Sequence, residues 1–167
     1  MSLNKIPSGD VTVIDANIII YAMQKASQEC KRLLARCAEE DVTGILPLHV
    51  LAEVMHQVMI AEERDNGWIK GPNPAKQLSE QPDRVRRLVR YEGIVRDVLG
   101  IGLVSEPLQR EDFISALKVQ RDTGLLTNDA LIVAIAQRLR ANSIASADRS
   151  FSNVQGIIHY LPDDIET

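Results

Sequence analysis

The strongest constraint on this chain is a repeated order: short apolar or β-branched runs, each followed by a stretch of helical periodicity. VTVI at 11–14 runs into Asp15 and then NIIIYAM at 17–23, a strand that turns at once into a helix or turn packed on a sheet. From Ser27, residues Cys30, Leu33, Leu34, Cys37 and Ala38 keep the i, i+3, i+4, i+7, i+8 spacing of one helix face, with Ser27 as N-cap. GILP at 44–47 reads as a second strand, and Leu48, Leu51, Ala52, Met55 and Met59 as the apolar stripe of the next helix. Val85, Leu88, Val89, Val95, Val98 and Leu99 mark a further helix, and IGLVS at 101–105 a third strand. Phe113, Ile114 and Leu117 suit a helix ending near Gly124, and Thr127 caps another whose apolar side is Leu131, Ile132, Ile135 and Leu139. SIAS at 143–146 and GIIHY at 156–160 supply the fourth and fifth strands. This alternation predicts an α/β fold: a mostly parallel central sheet of about five short strands with helices on both faces.

At 167 residues and 45% hydrophobic content, the expectation is a single domain over 1–167. Between about 62 and 83 the chain turns polar and carries Gly67, Gly71, Pro72, Pro74 and Pro82, which reads as an exposed loop or insertion with little to bury. A formal net charge of −4 lacks the basic footprint of a duplex-DNA binder. Cys30 and Cys37 share one predicted helix and stand roughly 10 Å apart along it, too far for a disulfide, so they read as buried thiols. No apolar run reaches the roughly 18 residues of a membrane span and no signal peptide is evident, so a cytoplasmic protein without membrane association is expected.

Four carboxylates fall at equivalent places in this pattern. In open α/β sheets, sites form outside the carboxyl ends of the strands, at the point where strand order reverses. Asp15 and Asp148 follow strands directly, while Glu53 and Asp129 sit early in helices that start on the same side. Each alone has a structural explanation, as a turn former or a residue favoured at a helix N-terminus. Together they would repel, because like charges a few ångströms apart resist joint ionisation, and a divalent cation removes that cost. Ligands that are all oxygen favour Mg²⁺ or Mn²⁺ over Zn²⁺. Glu53-x-x-His56 is half of a di-iron pattern whose second half is missing, so His56 reads as an ordinary helix residue. Bound ions of this kind align an attacking water and neutralise charge on a phosphodiester.

VIDANIIIYA (13–22), LAEVMHQV (51–58), LTNDALIVAIA (126–136) and SADRSF (146–151) resemble, in order and spacing, the four acidic motifs of PIN domains, in particular the VapC-type ribonuclease toxins of toxin-antitoxin pairs. The resemblance runs from about Val11 to Tyr160. It implies a three-layer α/β/α fold and Mg²⁺- or Mn²⁺-dependent endoribonuclease activity. Asp15, Glu53, Asp129 and Asp148 match the catalytic, metal-binding acids, and Asn17 and Ser146 the supporting polar positions. It also implies an RNA substrate, an antitoxin protein as partner and a homodimer. Two departures stand out: Ala16 occupies a place that often holds Thr or Ser, and the 62–83 segment is longer than a minimal toxin needs.

Two further features admit two readings each. Arg84, Arg86, Arg87 and Arg90 in DRVRRLVR would grip RNA phosphates, or form a solvated helix face beside Asp83 and Glu92. Trp68 and Tyr91 would stack on bases, or pack internally. Against the nuclease stands a non-catalytic module that keeps the fold and binds RNA or protein, although four intact acids argue against it. An aspartyl phosphatase would need an Asp two positions after Asp15, where Asn17 stands.

Overall fold

Five short strands lie side by side in the order β3-β2-β1-β4-β5: β1 Val11–Ile14, β2 Thr43–Pro47, β3 Val104–Glu106, β4 Ser143–Ala145 and β5 Ile158–Tyr160. Every neighbouring pair is parallel, with Val13 opposite Ile45 on one side and Ile144 on the other. The structure, a computed structural model, describes residues 1–165. Its helices are α1 Ala16–Met23, α2 Gln28–Ala38, α3 Leu48–Asp65, α4 Pro74–Ser79, α5 Pro82–Val85, α6 Arg90–Gly100, α7 Arg110–Thr123 and α8 Thr127–Leu139.

Topology places the helices. From β1 the chain steps to β2 and β3 in one direction, then jumps back across β1 to β4 and β5. Parallel crossovers are right-handed, so the two directions send their helices to opposite faces. Accordingly α1 packs on α2 and α3, and α3 on α6, while α7 runs along α8, which covers β1 and β4. With both faces covered, the central strands are apolar almost throughout: Val13, Ile14, Ile144 and Ala145 are all fully buried. Gly44 sits inside β2 because α2 crosses it closely; a Cβ there would meet Sγ of Cys37 at 2.8 Å and the Leu103 side chain at 2.5 Å. Both cysteines are free and buried.

The helix periodicities need three corrections. The fully buried apolar residues of α3 are Val50, Val54, Val58 and Ile60; of the expected stripe, Leu48, Ala52 and Met55 point outward, while Leu51 and Met59 are half-buried against the apolar clusters. Both faces of that helix are apolar, and the β-branched one fits the sheet side. On α7 the buried apolar residues are Ala116 and Val119, whereas Phe113, Ile114 and Leu117 are each half exposed or more. The helix expected through 85–99 is two pieces, with Val89 and Leu99 exposed. The break has a cause: the Glu62 carboxylate on α3 accepts the N–H groups of Val89, Arg90 and Tyr91 at 3.0, 3.1 and 2.7 Å. A carboxylate offered there satisfies the unpaired donors of a helix start, so α6 begins at it.

The 62–83 segment is not an exposed loop. α3 continues to Asp65, and α4 and α5 follow with Pro74 and Pro82 at their starts, where a missing N–H costs nothing. Its Ile69 and Leu78 join Ile60 and Leu88 from either flank in a second buried cluster, with Trp68, Val85 and Tyr91 packed against it. Trp68 and Tyr91 are thus packing residues. β3 starts three residues later than IGLVS suggested, after Gly102 at φ +92°. Thr127 is the first helical residue of α8 and gives no cap hydrogen bond.

Candidate active site

The reversal of strand order falls between β1 and β4, and their carboxyl ends deliver Asp15 and the loop bearing Asp148. Asp15 is the N-cap of α1, almost fully buried. Its Oδ1 accepts the Ala16 N–H at 2.7 Å, and its Oδ2 accepts the Asn17 amide and the Ser146 hydroxyl, both at 2.6 Å. Asn17 also donates to Oγ of Ser146 at 3.1 Å and accepts the Ala147 N–H at 2.9 Å. The Ser146 hydroxyl in turn accepts the Asp148 N–H at 3.0 Å. Asn17 and Ser146 therefore bind the first and last acidic motifs into one hydrogen-bonded unit.

Asp148 is exposed, caps a short 3-10 turn at Arg149–Asn153, and accepts the Ser150 N–H at 2.8 Å. The structural explanation for an Asp here holds as far as it goes. It does not account for the company Asp148 keeps: Asp15, Glu53, Asp129 and Asp148 all line one cleft of about 610 Å³. Glu53 comes from the second turn of α3 and Asp129 from the first turn of α8. Asn128, which the motif reading passed over, links them by donating to Glu53 at 3.2 Å. Gln57, one turn beyond Glu53, also lines the cleft; its i+4 position was the available signal.

The electrostatics are those of crowded acids. Burial, then the charges of Asp15, Asp148 and Glu53, pushes the Asp129 carboxyl up to about 6. Burial also raises Asp15, against the hydrogen bonds from Ser146 and Ala16 that favour its ionised form. The acids do not close into a ready cage: among the described residues, no three His, Cys, Asp or Glu side chains are gathered at metal-binding distance. The donor set that lines the cleft is all oxygen, the chemistry that suits Mg²⁺ or Mn²⁺.

Arg84, Arg86, Arg87 and Arg90 lie on α5, the turn after it and the start of α6, outside the walls of the cleft. Arg84 donates to the Trp68 carbonyl and lies over its ring, Arg86 pairs with Asp83, and Arg90 with Asp65. His56 is exposed on α3. No helix among the described residues is long and apolar enough to cross a membrane.

Comparison with known proteins agrees with this fold. The model of the PIN domain family matches residues 12–157. Ribonuclease VapC7 of Mycobacterium tuberculosis (strain ATCC 25618 / H37Rv) is 22% identical over 158 residues, covering 90% of this chain and 91% of its own. Among solved structures, a toxin-antitoxin complex from Klebsiella pneumoniae is similar at TM-score 0.57 and 16% identity, over 88% of this chain and 95% of that one. VapBC2 from Rickettsia felis, bound to a DNA fragment from its promoter, is similar at TM-score 0.57 and 17% identity, over 92% of this chain and 99% of that one.

Proposed function

Since this chain belongs to the PIN domain family, we propose that it is a Mg²⁺- or Mn²⁺-dependent endoribonuclease cleaving RNA phosphodiester bonds, the toxin of a type II toxin-antitoxin pair. One observation carries the reading: four carboxylates from four separate chain segments line one cleft at the strand-order reversal, where their mutual repulsion calls for a cation. Asp15, Glu53, Asp129 and Asp148 would hold it, and when bound it would neutralise charge on the phosphodiester and align the attacking water. Ser146 and Asn17 fix the Asp15 carboxylate, and Asn128 fixes Glu53. Asp129, with its pKa near 6, must be ionised to act as a ligand.

The partners follow from the same reading. The similar structures contain toxin-antitoxin complexes, which supports an antitoxin as inhibitor. A homodimer is supported by the outward apolar residues Phe113, Ile114 and Leu117 of α7. RNA contact by Arg86 and Arg90 would require them to leave Asp83 and Asp65. The protein would act in the cytoplasm, where its substrate is.

The test is cleavage of labelled RNA by purified wild type, Asp15→Asn and Asp148→Asn with Mn²⁺ or with chelator. Wild type should cleave only with the metal, and both variants should fall to background while remaining folded. Near-wild-type cleavage by both variants would remove the acids from the chemistry. RNA binding without cleavage by wild type would instead favour the non-catalytic module.

A further inference from the structure

His159, on β5, is buried beneath the loop that carries Asp148. Its Nε2 lies 2.8 Å from the carbonyl oxygen of Ser146, and its Nδ1 lies 3.0 Å from Oγ of Ser152. A carbonyl oxygen can only accept, so Nε2 carries the ring proton. Burial holds the imidazole below its ordinary pKa, which leaves the ring neutral and Nδ1 free to accept from the Ser152 hydroxyl. The ring therefore spans the segment from Ser146 to Ser152 and fixes both ends from inside. Phe151, fully buried in the same segment, packs against it with ring centroids 5.9 Å apart. The backbone of His159 is held within the sheet, paired in parallel with Ile144 of β4.

The consequence reaches the cleft through Ser146. Its hydroxyl donates to Asp15 and accepts the Asp148 N–H, so displacing Ser146 displaces two of the four acids. We infer that His159 is a positioning residue, holding the Ser146–Ser152 loop so that Asp15 and Asp148 face the same cation. This rests on the metal-dependent reading above. An ordinary core histidine would be replaceable by any side chain that fills its volume. A positioning one needs a donor toward Ser146 and an acceptor toward Ser152, and glutamine offers both.

Titration calorimetry of Mn²⁺ into wild type, His159→Leu and His159→Gln, without RNA, separates these roles. His159→Leu should bind Mn²⁺ about 10-fold more weakly, the lower end of the effect of removing partners behind metal ligands, and His159→Gln should recover most of that loss. In RNA cleavage, kcat at fixed Mn²⁺ should fall with the affinity while KM for RNA stays unchanged. Wild-type Mn²⁺ affinity in His159→Leu, or equal weakening in His159→Gln, would overturn the inference. Should His159→Leu fail to fold, Ser152→Ala decides, because Ser152 is exposed and its loss removes only the Nδ1 bond. Weaker Mn²⁺ binding by it supports the role and unchanged binding overturns it. A wild type that binds Mn²⁺ but leaves RNA intact refutes the ribonuclease alone. One that binds no Mn²⁺ overturns both.

Discussion

The Ser146 hydroxyl donates to Oδ2 of Asp15 over 2.6 Å, joining the ends of β4 and β1 across 131 positions of sequence. Burial disfavours the Asp15 charge, and this bond is the largest of the effects that oppose it. Ser146→Ala should therefore push the Asp15 pKa higher still. A hydrogen bond to a charged group contributes about 1.5–3 kcal/mol, so the variant should lose about that much stability at pH 7. The loss should be smaller at pH 4, because a carboxyl with a raised pKa takes up its proton as pH falls and the protonated form no longer needs the donor. Urea unfolding at the two pH values measures it, and an equal loss at both would mean that Ser146 supports packing rather than the charge.

The sheet and the acids were legible because each rests on a local pattern. Strands buried on both faces read as apolar runs, and an acid at a strand's end needs no distant information. Helix faces were less legible: on α3 both Val50-Val54-Val58 and the stripe of Leu48, Leu51, Ala52, Met55 and Met59 are apolar, and periodicity alone cannot choose between them. The break before α6 was invisible because its cause, Glu62, lies 27 positions from Val89. His159 was passed over for the same reason, since its role depends on Ser146 and Ser152 folding over it.

The second cluster makes the 62–83 segment part of the folded unit. Leu78 is 2% exposed between Ile60, Ile69 and Leu88, and truncating such a leucine costs about 2–5 kcal/mol. Leu78→Ala should lower the unfolding midpoint in one cooperative transition. An unchanged midpoint, or a separate early transition, would show that α4 and α5 fold independently of the sheet.

Glu63, at the end of α3, is fully buried, and neither carboxylate oxygen has a hydrogen-bond partner. Burial raises its pKa, with the Arg84 charge opposing. A raised carboxyl pKa means the folded state holds a proton the unfolded chain releases, so this group's support for folding is complete at low pH and is lost as pH rises through the folded value. Replacing a buried unpaired acid by an apolar side chain of similar size removes that cost. Glu63→Met should be more stable than wild type at pH 7 by about 1–3 kcal/mol, with an advantage that narrows toward pH 4. Lower stability of Glu63→Met at pH 7 would mean that the carboxylate has a partner in solution.

Asp129 joins the chemistry of the cleft to its stability. Its pKa rises from 3.8 to about 6, so without metal its contribution favours folding fully below about pH 4 and is lost as pH climbs through about 6. At pH 7, above that value, the apo protein holds Asp129 mostly ionised beside the other three acids of the cleft, and Asp129→Asn removes that charge. With chelator, that variant should be more stable than wild type at pH 7 by about 1 kcal/mol, a figure that allows for solvent screening of a partly exposed group, and no more stable at pH 3.5. Metal reverses the comparison. A cation at about 100 times its dissociation constant stabilises its binder by about 2.7 kcal/mol, and Asp129→Asn, short of one ligand, should gain less at the same Mn²⁺ concentration. Thermal unfolding of both proteins, with chelator and then with Mn²⁺, reads both halves. If the variant gains as much from Mn²⁺ as wild type does, Asp129 is not a ligand, and its raised pKa reflects burial among acids that bind no common ion.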